Sequence, residues 1–106
     1  MKHHVQVIGG ATWDALFTTP QARLWEAPDH QKFMVFPYGG KVDAANIVYG
    51  FGGGAANVAV SLSSLGISAS ITTRVGSDWR GKEVIKNLKT HKVKIDNVQT
   101  DKSEPT

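Results

Sequence analysis

The sequence has no cysteine, which excludes disulfide bridges and thiolate-held metals. It has no apolar run approaching membrane-spanning length. Lys2, His3 and His4 lead into Val5-Gln6-Val7-Ile8, a run too brief for the core of a signal peptide. The expectation is a cytoplasmic protein with no membrane partner. Histidine is scarce: the four at positions 3, 4, 30 and 91 show no metal-ligand spacing with a carboxylate, so no metal site is expected. Acidic residues are outnumbered, giving a formal charge of +3. Much of the excess comes from Lys82, Lys86, Lys89, Lys92 and Lys94. No arginine or aromatic platform is interleaved with them, so they read as a solvated helix face with cations near its C-terminus, not as a nucleic-acid stripe.

What is present is ordinary globular composition over 106 residues, 41% hydrophobic and 20% charged. That is room for one small domain or a piece of a larger one. Val5-Gln6-Val7-Ile8 predicts a buried first strand that breaks at Gly9-Gly10, with Asp14 just past the turn. A second extended stretch covers 15–18. Residues 20–32, polar and punctuated by proline, read as loop. Strands are expected at 33–36 and 46–51, the pair forming an antiparallel excursion.

From residue 46 to 91 the order is strand, helix, strand, helix, which argues for parallel strands in an α/β fold. The first helix, over 55–65, carries an apolar stripe of Val58, Leu62 and Leu65. Its other face is small, with Ala55, Ala56, Ala59 and Ser63. Gly66 suits its C-terminal cap. A strand is expected over 68–75. Ser77 or Asp78 then caps a helix running to about His91, with Val84, Ile85 and Leu88 inward. One weak strand is expected near 98–100.

The most informative stretch is Gly50-Phe51-Gly52-Gly53-Gly54-Ala55-Ala56-Asn57. Glycines before a helix let a ligand reach main-chain amides and the positive end of the helix dipole. Asn57 adds a donor and an acceptor suited to a hydroxyl. The same residues satisfy G-x-G-x-x-A at Gly50, Gly52 and Ala55, the dinucleotide-binding pattern. A dinucleotide-binding unit of an oxidoreductase and a non-catalytic binding module are therefore alternatives.

Gly52-Gly53-Gly54-Ala55-Ala56-Asn57-Val58-Ala59, then Leu65-Gly66, then Arg74-Val75-Gly76-Ser77-Asp78 and Gly81, resembles the first signature of the ribokinase family of PfkB-type sugar and nucleoside kinases. The resemblance implies the N-terminal segment of an α/β/α three-layer sandwich, with a small β lid at 33–51 and the first signature in 52–91. It implies an enzyme moving the ATP γ-phosphate to a hydroxymethyl group of a sugar or nucleoside.

Carried over by position, Asp14 accepts hydrogen bonds from acceptor hydroxyls. Gly52 and Gly53 contact the acceptor through backbone amides, and Asn57 holds a further hydroxyl. Gly76, Asp78 and Gly81 are expected to shape a turn and cap a helix. At Gly54 ribokinases proper carry lysine, so ribose is not singled out as acceptor. The family's second signature, with the catalytic base and anion hole, has no counterpart in these residues, and no catalytic residue is assigned. ATP and Mg²⁺ are implied for the complete protein and not for this chain alone, which is expected to be inactive. A homodimer through the lid is also expected.

Overall fold

The computed structural model describes residues 3–106. The elements run β1 (His4–Ile8), β2 (Thr12–Thr18), β3 (Arg23–Glu26), β4 (Lys32–Val35), β5 (Ala45–Gly52), α1 (Gly54–Ser64), β6 (Ser68–Gly76), α2 (Trp79–Thr90) and β7 (Lys94–Asp101). None of the described helices is long and apolar enough to cross a membrane. The chain divides into two compact units, one of residues up to Asp14 with Tyr49–Thr106, the other Ala15–Val48.

The first unit is built on a parallel sheet of order β1-β6-β7. Parallel neighbours need a crossover, and α2 supplies it between β6 and β7. Alternation along β6 sends Ala69, Ile71, Thr73 and Val75 into the core, where Ile71 and α2's Leu88 have no exposed surface. Burying a side chain of that size contributes about 1.5–3 kcal/mol. Val84 and Leu88 point inward as their spacing predicts, with Ile85 packed at the margin.

The face of α1 is a correction. Of the expected stripe, Val58 and Leu65 are 50% and 77% exposed and only Leu62 packs against the core, whereas Ala55, Ala56 and Ala59 are buried. The close fit of helix to strand ends excludes larger side chains on the packed face: a Cβ at Gly9 would lie 3.2 Å from that of Ala55. The helix closes as expected at Gly66, at φ 84°. The Gly66 amide donates to Ser63 O and that of Ile67 to Leu62 O, both at 3.0 Å. This is a Schellman closure around a left-handed residue.

The other face of the sheet is polar. His4 Nδ1 and Nε2 each lie 2.8 Å from a serine hydroxyl, those of Ser68 and Ser70. Gln6 donates to Thr72 Oγ1 at 2.5 Å and accepts from Ser70. Ile8, at the end of that row, is 78% exposed. The weak strand expected at 98–100 is longer, the whole of β7.

In the second unit, β3 pairs antiparallel with β4, Leu24 opposite Met34 and Trp25 opposite Phe33. Two expectations fail here. Residues 20–32 are not all loop, because they contain β3. The 33–51 stretch is not a hairpin, because β4 pairs with β3 while β5 pairs with β2. Thr18 and Asn46 show the β2–β5 pairing in side chains: Asn46 Nδ2 donates to Thr18 Oγ1 at 3.0 Å, and Thr18 donates to Ala45 O at 3.2 Å.

Candidate acceptor site

A cleft of about 510 Å³ opens beside the carboxyl end of β6, lined by Thr12, Trp13, Asp14, Arg74, Asp101 and Thr106 among others. Open α/β sheets hold ligands at the carboxyl ends of their strands. Asp14 lies just past the Gly9-Gly10 turn, as expected, and within β2. Strand alternation puts Thr12 and Asp14 on the same side, and both side chains lie over Gly52. A Cβ there would be 3.0 Å from Thr12 Oγ1 and would overlap Asp14 Oδ2. The glycine thus makes room for a carboxylate and a hydroxyl side by side. Thr12 was missed in the sequence. Its signal is the i, i+2 spacing to Asp14, which is visible only once the segment is read as strand.

Gly53 is required for a different reason. Its φ is 91°, and a Cβ would sit 2.7 Å from Ala11 Cα and overlap Gly10 O. Gly54 has nothing within 4 Å of that position, so its lack of a side chain answers no steric demand. Gly10 O accepts from the amides of Ala55 and Ala56 at 3.1 and 3.2 Å. Those two amides are therefore used inside the protein.

The structure brings Asp14, Gly52 and Gly53 together but puts Asn57 elsewhere. Asn57 lines another cleft, of about 370 Å³, with Phe51, Val60, Ser61, Asn87 and His91. Each helical residue turns about 100° from the last, so once Ala55, Ala56 and Ala59 face the sheet, Asn57 points away from it.

Asp78 caps α2, its Oδ1 accepting from Gly81 N at 3.0 Å and from Thr106 Oγ1 at 2.5 Å. These donors, the Thr106 hydroxyl above all, hold its carboxyl below the usual carboxylate range. A Cβ on Gly81 would overlap Gly76 O. Gly76, Asp78 and Gly81 thus form a turn and cap, as expected. Across the cleft, Arg74 Nη1 lies 3.6 Å from Asp101 Oδ2, and Nη2 donates to Gln99 Oε1 at 3.0 Å. The Ser103 hydroxyl lowers the Asp101 pKa.

Among the described residues no three His, Cys, Asp or Glu side chains converge on a point that fits a metal ion. These residues are assigned no step with Mg²⁺ or ATP. The dinucleotide pattern also loses its structural context. The strand before the glycines, β5, pairs with β2 and lies outside the parallel sheet, and Gly10 occupies two amides at the helix start.

Residues 24–106 match the family described as "pfkB family carbohydrate kinase". A ribokinase of Dictyostelium discoideum is 24% identical over 107 residues, an alignment spanning 100% of this chain and 29% of that protein. Among solved structures, ribokinase from Cryptococcus neoformans var. grubii in complex with ADP superposes with a TM-score of 0.74 at 23% identity, covering 97% of this chain and 28% of the other. The Methanocaldococcus jannaschii nucleoside kinase, an archaeal member of the ribokinase family, gives 0.73 at 20%, covering 97% and 30%. The chain spans less than a third of the length of each. The fold is ribokinase-like.

Proposed function

Since the chain belongs to the pfkB carbohydrate kinase family, we propose that it forms the acceptor-binding part of an ATP-dependent kinase phosphorylating a hydroxymethyl group of a sugar or nucleoside. The observation that carries this is the Thr12–Asp14 pair seated over Gly52. Ionised, the Asp14 carboxylate accepts hydrogen bonds from two vicinal hydroxyls, and such charge-assisted bonds are stronger than neutral ones. Thr12 both donates and accepts. The Gly53 amide, beside the start of α1, adds a donor on the positive end of the helix dipole. Asn57 enters through its place in the motif and not through a shared cavity.

In the whole protein these groups orient the acceptor, and orientation together with charge stabilisation is most of what phosphoryl transfer requires. ATP and Mg²⁺ supply the phosphoryl group and neutralise its charge when bound there. The exposed apolar side chains of the Ala15–Val48 unit, such as Leu24 at 71% and Met34 at 68%, suit pairing with a second copy.

The test is calorimetric titration of the chain with a panel of pentoses, hexoses and nucleosides, repeated with Asp14→Asn. Binding of at least one of them, weakened about tenfold or more by the substitution, is expected. Equal binding by both proteins would overturn the proposal.

A further inference from the structure

The cleft that holds Asp14 is lined as well by Glu104, Pro105 and Thr106. These three belong to no helix or strand, so side-chain contacts must fix their place. Two carboxylates supply them. At the end of β7, Asp101 Oδ1 accepts from the Ser103 amide at 2.8 Å and from its hydroxyl at 2.6 Å, which turns the chain. Asp78 then takes the end of the run. Its Oδ1 accepts from the Thr106 hydroxyl at 2.5 Å and its Oδ2 from the Thr106 amide at 3.3 Å. The same hydroxyl accepts from the Gly76 amide at 2.9 Å. Only a group that both donates and accepts can make the last two hydroxyl bonds together.

Gly76 is fitted to this crossing. A Cβ there would lie 2.6 Å from Glu104 O and from Thr106 N, and 2.8 Å from Pro105 C. Its backbone is outside the left-handed region, so the glycine answers the close passage of the chain and not a bend of its own. Helix capping explains the bond that Asp78 accepts from the Gly81 amide. It does not explain the two bonds to Thr106, which reach 28 residues along the chain. Hydrogen bonds to a carboxylate are stronger than neutral ones, and the lowered Asp78 pKa has the Thr106 hydroxyl as its first cause.

We propose that Asp78 and Thr106 are positioning residues of the acceptor site: their latch, seated in the space that Gly76 leaves open, holds residues 104–106 as a wall of the cleft at a fixed place relative to Asp14. This rests on the acceptor-site reading above and deepens it. Asp78 acts through Thr106, and Thr106 through the wall it anchors. A binding site is only as precise as the contacts that support it, so loosening the latch loosens the hold on the acceptor.

The test is calorimetric titration with ribose, fructose and adenosine. Thr106→Val removes the hydroxyl at nearly constant size, and Thr106→Ser keeps it. The valine variant should weaken whichever of these ligands binds by about tenfold, the scale of one lost hydrogen bond to a charged group. The serine variant should bind like the parent. Asp78→Asn still caps α2 but offers a single acceptor oxygen, and it should weaken binding as well. Val84→Ala is the control for stability alone. Val84 is buried in the core and does not line the cleft, so this variant should melt lower and bind like the parent.

Parent-like affinity in Thr106→Val and Asp78→Asn, with Asp14→Asn still weakening binding, would overturn the latch and leave the acceptor site standing. Equal losses in Thr106→Ser and Thr106→Val, or an equal loss in Val84→Ala, would overturn it too, since the hydroxyl would then not be what matters. If Asp14→Asn binds like the parent, or if none of the three ligands binds, both readings fall together.

Discussion

Asp14 and Gly52 are a matched pair: the carboxylate of one fills the volume that a side chain on the other would need. Gly52→Ala should therefore act on the site by displacing Asp14, and weaken acceptor binding about as much as Asp14→Asn. Gly54→Ala is the control. Its Cβ meets nothing within 4 Å, and its backbone is outside the left-handed region, so it should leave binding intact and stabilise the fold by about 0.4–1 kcal/mol. Calorimetry with urea denaturation of both variants checks this.

The α2 turn depends on an approach that only a glycine permits. Gly81→Ala places a methyl group against Gly76 O, and overpacking against backbone costs typically about 1–3 kcal/mol. The expected result is a lower urea midpoint with an unchanged slope. A midpoint equal to that of the parent would show that the turn opens without strain.

The two faces of α1 give a prediction opposite to its apolar pattern. Ala59→Leu, at a position with no exposed surface, should destabilise by about 1–3 kcal/mol. Val58→Ala, on the half-exposed stripe, should change stability by no more than about 0.5 kcal/mol. Thermal melts of the two distinguish a helix docked through its alanines from one docked through Val58.

Acid sensitivity follows from the two depressed carboxyls. A carboxyl whose pKa is lowered by folding stabilises the native state above its unfolded value, near 3.8 here, and that contribution fades as pH falls through the lower folded value. Stability should therefore decline below about pH 4. Asp78→Asn, which cannot lose a charge, should be less stable at neutral pH and show a flatter decline. Denaturation midpoints between pH 2 and 7 measure both slopes.

The segment from the glycine cluster through α2 was legible in the sequence because its signals are local. Three glycines, a run of small residues, Gly66 and the Asp78 cap each fix a boundary from neighbours a few residues away. The strand pairing was not. Arg23-Leu24-Trp25-Glu26 is a short strand whose partner is chosen by contacts elsewhere in the chain, and the partner of β5 is β2, far back in sequence, and not the neighbouring β4. The buried face of α1 was misjudged for a related reason. Hydrophobic periodicity marks the apolar stripe, but the distance to the sheet is set by Gly9 and Gly10, far away in sequence. In the site, Asp14 and the glycines are visible in the sequence, whereas the place of Thr12 beside Asp14 depends on strand geometry.

The polar ladder on the outer face of the sheet has a kinetic consequence. His4 reaches Ser68 and Ser70 across 64 and 66 residues of chain, while β6, α2 and β7 are consecutive. Ordering so long an intervening loop carries an entropy cost before any contact rewards it. The β6–α2–β7 crossover should therefore assemble first and accept β1 late. Substitutions at His4 or Gln6 would then chiefly speed unfolding and leave the folding rate nearly unchanged, so this edge of the sheet governs how long the fold lasts more than how fast it forms.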